Sequence, residues 1–279
     1  MPVIADLKEE LADLFTFKYI AGAFTEASLV KLRKIRAQFV KNTQFYAEIT
    51  KLYRLIEKSA QKMSIAKQQH LRAKKTLCIA LSSNQRFFGN LNLDVVRAFI
   101  AESEKISADR IVVGTTAIEY LKSIHYAPQY ESVVFPKDTP NNEELRFFLY
   151  KFGPYNTVLV YYPKFVSFLR QSVGVTDITQ REQSVETGMD KLPELLFEPE
   201  IDKMAIFFQN QVRHLLFRRV LLETELARTA ARLLSMSQAE ERADGEILMK
   251  RAYIRKFMRS FINAQLLETF AGMKKWKRN

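Results

Sequence analysis

The stretch TLCIAL, residues 76–81, is a short apolar run that leads into a polar loop, SSNQR, and then into a helical pattern over about residues 93–103. The same alternation continues along the middle of the chain, with further apolar runs at 110–114, 132–135 and 157–162 and further helical patterns over about 116–124 and 142–152. Strands and helices that alternate at this spacing are typical of a mostly parallel sheet with helices on its faces. An open α/β domain is therefore predicted here. The less regular stretch 166–200 offers additional strands at 173–178 and 195–197.

Both ends of the chain favour long helices, because no proline lies within residues 3–127 or 200–279. In the first segment, the spacing of apolar residues predicts a helix over about residues 4–62. The last segment has a similar spacing of apolar residues, which includes Ile247, Ile254 and Phe261 at intervals of seven. A helical run longer than about 25 residues with a narrow apolar seam is typical of a coiled coil. We expect the terminal helices to form an antiparallel coiled coil with the α/β domain inserted between them. The predicted boundaries are 1–63, 64–202 and 203–279.

The charge of the chain points to an acidic partner. The 279 residues carry a formal net charge of +12, and the sequence pI is about 9.6. The first and last predicted segments hold this excess, with net charges of +4 over residues 3–63 and +9 over 203–279, whereas the middle has −1. A partner surface that is acidic or carries phosphates is therefore expected.

Cysteine and histidine are too few for several kinds of site. One cysteine and three histidines exclude a disulfide framework and a Cys/His zinc cluster, and they favour a reducing compartment. No run of about 18 apolar residues occurs. The first residues, MPVIADLKEELADLF, carry acids where a signal or transit peptide would be basic. We expect a protein that is soluble or peripheral to a membrane.

The loop over residues 81–90, LSSNQRFFGN, is the most catalytic-looking element, since it follows the first predicted strand. It has a single glycine, and neither G-x-G-x-x-G nor G-x-x-x-x-G-K-[ST] occurs in the chain. Ser82 and Ser83 lack the G-x-S-x-G elbow of a nucleophile. Turn chemistry is favoured over a ligand role. Cys78 is interpreted as a buried small hydrophobe and His214 as a seam or surface residue, so no catalytic, cofactor-binding or metal-binding residue is predicted.

Basic residues recur along the C-terminal segment from Arg213 to Arg259 and leave three interpretations open. They could follow the phosphates of a nucleic acid. They could form the charged outer face of a coiled coil. They could also meet a protein partner with acidic loops. The sequence contains no helix-turn-helix, zinc finger or basic-zipper block that would favour the first.

Three motifs, in the right order, resemble the gamma subunit of F-type ATP synthases. Residues 230–243, AARLLSMSQAEERA, match the family signature AARMxAMxxAtxNA without a gap. Residues 77–92, LCIALSSNQRFFGNLN, look like the ltSDrGLCGgLN turn, and residues 20–33 look like ITkAMkMVAasKLR. The likeness covers essentially the whole chain and agrees with the plan of helix, α/β domain and helix.

The resemblance has departures at the contact motifs. Phe24, Thr25 and Glu26 stand where the family has Met, Lys and Met, and Met258 and Arg259 occupy its Arg-Gln pair. Asn263 and Gln265 replace the Thr and Glu that follow. The resemblance implies that these positions contact the catalytic subunits, so the contact here uses other side chains or serves a divergent stator. The residues expected at the hexamer contact are Phe24, Thr25, Met258, Arg259, Asn263 and Gln265, with Arg228, Arg232 and Arg242 as an electrostatic collar.

The resemblance implies a rotor shaft without an active site or cofactor, which couples ion-driven rotation of a membrane ring to nucleotide turnover in a catalytic hexamer. The implied partners are the alpha and beta subunits, a small subunit of the epsilon or delta type and the ring of c subunits; nucleic acid is not expected. The implied place is the cytoplasmic face of a bacterial membrane, or the matrix side of an inner organellar membrane. Two alternatives stay open: a shaft of an F-type-like ATPase with a non-synthase role, and a coiled-coil nucleic-acid or scaffold protein.

Overall fold

A computed structural model describes residues 2–62, 75–179 and 201–276. The elements follow one another as α1 Pro2–Lys62, β1 Thr76–Leu81, α2 Leu91–Ser103, β2 Ala108–Val113, α3 Thr115–Ser123, β3 Glu131–Val133, α4 Asn142–Tyr150, β4 Thr157–Phe165, β5 Gln171–Asp177 and α5 Ile201–Trp276. They form two compact units, Val30–Ala231 and Met1–Leu29 with Arg232–Asn279. In the described ranges, no helix is both long and apolar enough to cross a bilayer.

The larger unit is built on a five-stranded sheet in the order β3-β2-β1-β4-β5. Strands β1 to β4 run parallel, and Thr76 at the start of β1 pairs with Ala108 on one side and Thr157 on the other. Strand β5 runs antiparallel to β4. The parallel sheet predicted from the alternation of apolar runs and helices is confirmed.

Each strand divides its side chains between the two faces of the sheet, as the period of two requires. On one face Cys78 and Ala80 of β1 pack against Phe99 of α2 and Leu121 of α3. On the other face Leu77 and its alternate neighbours belong to a core completed by three aromatic residues, namely Phe148 of α4, Phe152 of the turn after α4 and Phe217 of α5. The sheet is thus covered on both faces, which explains why its central strands are almost wholly apolar.

The parts of α1 and α5 that belong to the larger unit run antiparallel. Leu32 packs with Leu226, whereas Tyr46, further along α1, packs with Leu215, further back along α5. The Asn42 side chain donates a hydrogen bond to the Leu215 carbonyl at 3.4 Å. The predicted antiparallel pairing of the terminal helices is confirmed in this unit.

The strand expected at 173–178 is present as β5, with the bounds Gln171–Asp177. The strand expected at 195–197 lies outside the described residues. Strand β1 has the bounds expected from TLCIAL, and β4 extends three residues past the apolar run, to Phe165. The domain boundaries at 63/64 and 202/203 stay a prediction.

Candidate functional site

The loop after β1 uses its polar groups to hold the carboxyl edge of the sheet together. Ser83 Oγ donates to the Asp138 carboxylate, and the backbone N–H of Asn84 donates to the same carboxylate at 2.8 Å. The Asn84 side chain donates to the Phe135 carbonyl at 2.7 Å and accepts from the N–H of Thr115, the first residue of α3, at 2.9 Å. These contacts agree with the turn chemistry expected for this loop.

At the same edge of the sheet, the backbone of Gly114 lies very close to the backbone of Ser82. Gly114 has φ +97°, and a Cβ placed on it would lie 2.6 Å from the Ser82 carbonyl oxygen. Only glycine fits such a position without strain, because other residues rarely adopt this φ and the added atom would overlap the neighbouring backbone. The two loops therefore pack directly on each other at this point.

Cys78 lies in the protein interior, whereas His214 is only partly buried. Cys78 is fully buried, and burial raises the pKa of its thiol. His214 is partly buried on α5, where burial, followed by the charges of Arg218 and Arg146, lowers the pKa of its imidazole below the ordinary value. Among the described residues, no three or more His, Cys, Asp or Glu side chains are arranged to hold a metal ion.

The smaller unit is an antiparallel pair of helix segments from α1 and α5. Lys18 Nζ lies 2.7 Å from Asp244 Oδ1, and nearer the start of α1 Glu10 forms an ion pair with Lys250. Buried apolar residues lie between the segments: Ala21, Met236, Ala243, Ile247 and Ile254. Ile247 and Ile254 are two of the three residues predicted to form the seam at spacing seven. The third, Phe261, is exposed.

Helix α5 carries an exposed apolar stripe near its C-terminal end. Every side chain from residue 255 to residue 273 is exposed. Eight of them are large and apolar: Phe257, Met258, Phe261, Ile262, Leu266, Leu267, Phe270 and Met273. Arg255, Lys256 and Arg259 lie in the same stretch. We refer to residues 255–273 as the terminal stripe. A cluster of exposed large apolar side chains is typical of interaction sites.

The structure divides the nine predicted contact residues into separate groups. Met258, Arg259, Asn263 and Gln265 all lie in the terminal stripe and are exposed. Phe24 and Arg232 meet across the helix pair, with the guanidinium carbon 6.0 Å from the ring centroid. Thr25 donates its hydroxyl hydrogen to the Ala21 carbonyl of its own helix at 3.0 Å, and Arg242 is exposed. Their role in partner contact stays a prediction.

Arg228 is placed differently from an exposed collar residue. Its side chain is only 5 % exposed, in a stretch of α5 that packs on α1 through Leu226 and Ala230 and on α2 through Ala227 and Ala231. Burial lowers the pKa of its guanidinium to about 10, against the opposing charges of Asp138 and Glu225. Its charge therefore acts inside the larger unit.

Several residues of the helix pair were not identified from the sequence. Lys18 and Asp244 are one example, and Phe15, whose ring lies 5.1 Å from the Arg251 guanidinium carbon, is another. Leu7, Met249 and Tyr253 line a cavity of about 280 Å³ between the segments. Their positions depend on the register between distant segments, for which no local motif exists.

Comparisons with known proteins agree on one family. The profile of a family described as ATP synthase matches residues 4–274. The chain is 21% identical over 252 residues to an ATP synthase gamma chain of Mycoplasma mycoides, with 86% of each chain covered. It is 24% identical over 253 residues to one of Clostridium botulinum, with 86% and 87% covered, and 21% identical to one of Exiguobacterium, with 98% of both covered.

Solved structures are similar in fold. The rotor of the Euglena gracilis mitochondrial ATP synthase superposes with a TM-score of 0.61 at 13% identity, covering 94% of this chain and 99% of the other. The central stalk and c-ring structure from Tetrahymena thermophila gives a TM-score of 0.58 at 17% identity, covering 79% and 99%. The plan of long terminal helices around an α/β domain is thus shared with these chains.

Proposed function

We propose, on the basis that this chain belongs to the ATP synthase family, that it is the gamma-type central shaft of an F-type ATPase. Its helix pair turns inside a hexamer of alpha and beta subunits, and its α/β unit lies towards a membrane ring of c subunits and a small epsilon- or delta-type subunit. The chain is a non-catalytic subunit of the complex. It is peripheral to the membrane, on the cytoplasmic face in a bacterium.

The observation that carries this proposal is the terminal stripe. It exposes eight large apolar side chains on a helix, a surface that is costly in water and is stabilised by burial against a partner. Its cations complement a partner that presents acidic groups around an apolar lining. An exposed apolar surface that also carries cations is suited to the end of a shaft that is surrounded by other subunits.

The mechanism follows from this combination of contacts. Apolar contacts are non-directional, so a stripe of Phe, Leu, Ile and Met side chains can slide past successive subunits without binding to one of them alone. Cations such as Arg259 interact more strongly with whichever acidic loop lies nearest. Each rotational position therefore favours a different conformation of one catalytic subunit and biases its nucleotide affinity. Rotation and nucleotide turnover are coupled in this way.

The departures at Met258 and Arg259 also support a second candidate, an F-type-like ATPase with a task other than synthesis. The same shaft mechanism would apply, but the membrane proteins to which the shaft is coupled would differ. The complex that contains the chain distinguishes the two candidates, since an ion-driven synthase requires a ring of proton- or sodium-carrying subunits.

The experiment that tests the proposal is native purification of the tagged chain from its own cells, followed by mass spectrometry of the proteins that accompany it. We expect P-loop subunits in a three-plus-three ratio to one copy of this chain. Ring subunits in the same complex indicate a synthase, and their replacement by other membrane proteins indicates the recruited ATPase. Recovery of the chain alone, or with nucleic acid, from intact membranes would contradict the shaft function.

A further inference from the structure

The larger unit contains a cavity of about 780 Å³ that the proposed shaft contacts do not use. It lies between the end of α4, with the turn that follows, and an early stretch of α5. Its lining consists of residues 146 and 149–154 on one side and residues 207, 211, 213 and 214 on the other. Sites for small molecules usually have volumes of about 300–1,000 Å³, so the cavity is large enough for a ligand of that size.

One part of the lining is apolar and largely aromatic. Phe152 is only 3% exposed, whereas Tyr150 and Phe207 are 85% and 62% exposed. Leu149 and Pro154 complete this part of the wall. An alkyl chain bound against these side chains would remove apolar surface of both the ligand and the protein from water, which is favourable.

Another part of the lining is basic. It contains Arg146, Lys151 and Arg213, and no Asp or Glu is among the described residues that line the cavity. Lys151 also forms an ion pair with Glu131, whereas Arg146 is exposed on α4. A guanidinium can bind a carboxylate through two parallel hydrogen bonds. The charge of the lining therefore complements a ligand that carries an anionic group.

His214 adds a polar atom that lacks a partner. It lines the cavity, and its Nδ1 is buried without a hydrogen-bond partner among the described residues. A buried polar atom without a hydrogen bond is costly, and a carboxylate can accept a hydrogen bond from an imidazole N–H. Burial, followed by the charges of Arg218 and Arg146, lowers the pKa of this imidazole. An anion bound near these arginines would offset their charge.

We propose that this cavity binds a single-chain fatty acid, with its carboxylate at Arg146 and His214 and its alkyl chain against Tyr150, Phe152 and Phe207. A nucleotide fits less well, because its ribose hydroxyls and base amino groups need hydrogen-bond acceptors and no carboxylate is among the described lining residues. The site goes beyond the proposed shaft function and does not depend on it.

Displacement of a fluorescent fatty acid, dansylaminoundecanoic acid, from the full-length chain tests the site. We expect dodecanoate to displace this probe about tenfold more effectively than dodecyltrimethylammonium, which has the same alkyl chain and a cationic head. ATP should not displace the probe. Equal displacement by the two dodecyl compounds, displacement by ATP, or no binding of the probe would overturn the proposal.

Matched pairs of substitutions at exposed side chains separate the cavity from nonspecific binding. Tyr150→Ser removes part of the apolar wall, whereas Phe147→Ser changes a residue of the same helix outside the lining. Arg146→Glu reverses a charge of the lining, whereas Arg170→Glu makes the same change in the loop between β4 and β5. We expect the first member of each pair to weaken dodecanoate binding about tenfold and the second to leave it unchanged. Equal effects within either pair would contradict the site.

The terminal stripe also presents apolar side chains and cations, so the location of the ligand is measured separately. A diazirine analogue of dodecanoate, photolysed on the full-length chain, should label peptides that contain residues 146–154 or 207–214. It should also label them when Phe261, Ile262 and Leu266 are replaced by serine. Labelling confined to residues 255–273 would overturn the proposal, as would labelling of the cavity that another subunit blocks in the purified complex. Neither result bears on the shaft function, which the purification experiment decides.

Discussion

Lys18 and Asp244 are 226 positions apart in the chain, and their charged atoms lie 2.7 Å from each other. Glu10, earlier on α1, pairs with Lys250, later on α5. Together the two ion pairs define the antiparallel register of the helix segments in the smaller unit. Such exposed pairs contribute little stability by themselves, so the register is stabilised mainly by the buried residues between them, such as Ala243 and Ile247.

The terminal stripe should be needed for assembly and not for folding. Replacing Phe261, Ile262 and Leu266 together by serine removes exposed apolar area, so we expect the melting temperature to change by no more than about 2 °C. Co-purification of the alpha and beta subunits should fall at least tenfold, because interface apolar anchors dominate binding. Phe147→Ser, at a residue that is 74% exposed on α4, is the control. Equal loss of assembly in the control would contradict the role of the stripe.

The cations of the stripe should act through long-range attraction. Arg255→Glu with Arg259→Glu should slow association with the alpha and beta subunits about tenfold at low salt, and the difference should shrink as added salt screens the charges. Stopped-flow association at several salt concentrations measures this. Lys105→Glu with Lys122→Glu makes the same change in net charge on exposed residues of the larger unit. An effect of the first pair that does not depend on salt would argue against electrostatic steering.

Gly114 and Gly245 should respond to alanine with opposite signs. At Gly114 the new Cβ would lie 2.6 Å from the Ser82 carbonyl oxygen at a φ of +97°, so we expect a loss of about 2 kcal/mol or more in the free energy of unfolding. At Gly245, inside α5, nothing lies within 4 Å of the new atom, and alanine should add about 1 kcal/mol. Denaturant unfolding measures both. A stable Gly114→Ala protein would show that the edge loops are not closely packed.

His214 should make the chain less stable in mild acid. Burial, with Arg218 and Arg146 nearby, lowers the pKa of His214 in the folded state below 6.5, so the folded protein favours the neutral imidazole. The free energy of unfolding is therefore highest above 6.5, the ordinary pKa of histidine, and it decreases as the pH falls below that value. His214→Gln should therefore reduce the drop in melting temperature between pH 7.5 and pH 5.5. His125→Asn, at an exposed residue, should leave that drop unchanged.

Glu223 should show the opposite pH dependence. Burial raises the pKa of its carboxyl group above 4.5, although a hydrogen bond from the Tyr162 hydroxyl at 3.2 Å opposes this. The folded state thus favours the protonated form, and stability falls as the pH rises through the ordinary pKa. Glu223→Gln should raise the melting temperature by about 2 °C at pH 7 and should have no effect below pH 4. A gain that persists in acid would point to packing instead of charge.

Much of the fold could be predicted because it depends on local patterns. The alternation of apolar runs indicated the parallel sheet, and TLCIAL has the bounds of β1. The prolines are confined to the middle of the chain and to Pro2, which indicated the two long helices. Turn chemistry was expected for the polar loop over residues 81–90 because it lacks the glycines of a phosphate-binding loop, and its hydrogen bonds to Asp138 and Phe135 agree with that expectation.

The candidate site could be predicted only in part. The exposed positions of Met258 and Arg259 agree with a contact surface, but Phe261 was expected in the seam and is exposed. Arg228 was expected on the surface and is buried. Residue spacing indicates which side chains share a helix face, yet it does not say how far along the helix a partner segment continues to cover that face.

The sequence by itself determined the order of helices and strands, the faces of the sheet and the excess of positive charge on the terminal segments. These properties follow from the period of apolar residues and from composition, which act over a few residues at a time. The tertiary structure decided the pairing of Lys18 with Asp244, the burial of Arg228 and the exposure of the terminal stripe. Each of these depends on which distant segments meet and at what register, because burial and electrostatic compensation are set by neighbours that are remote in the chain.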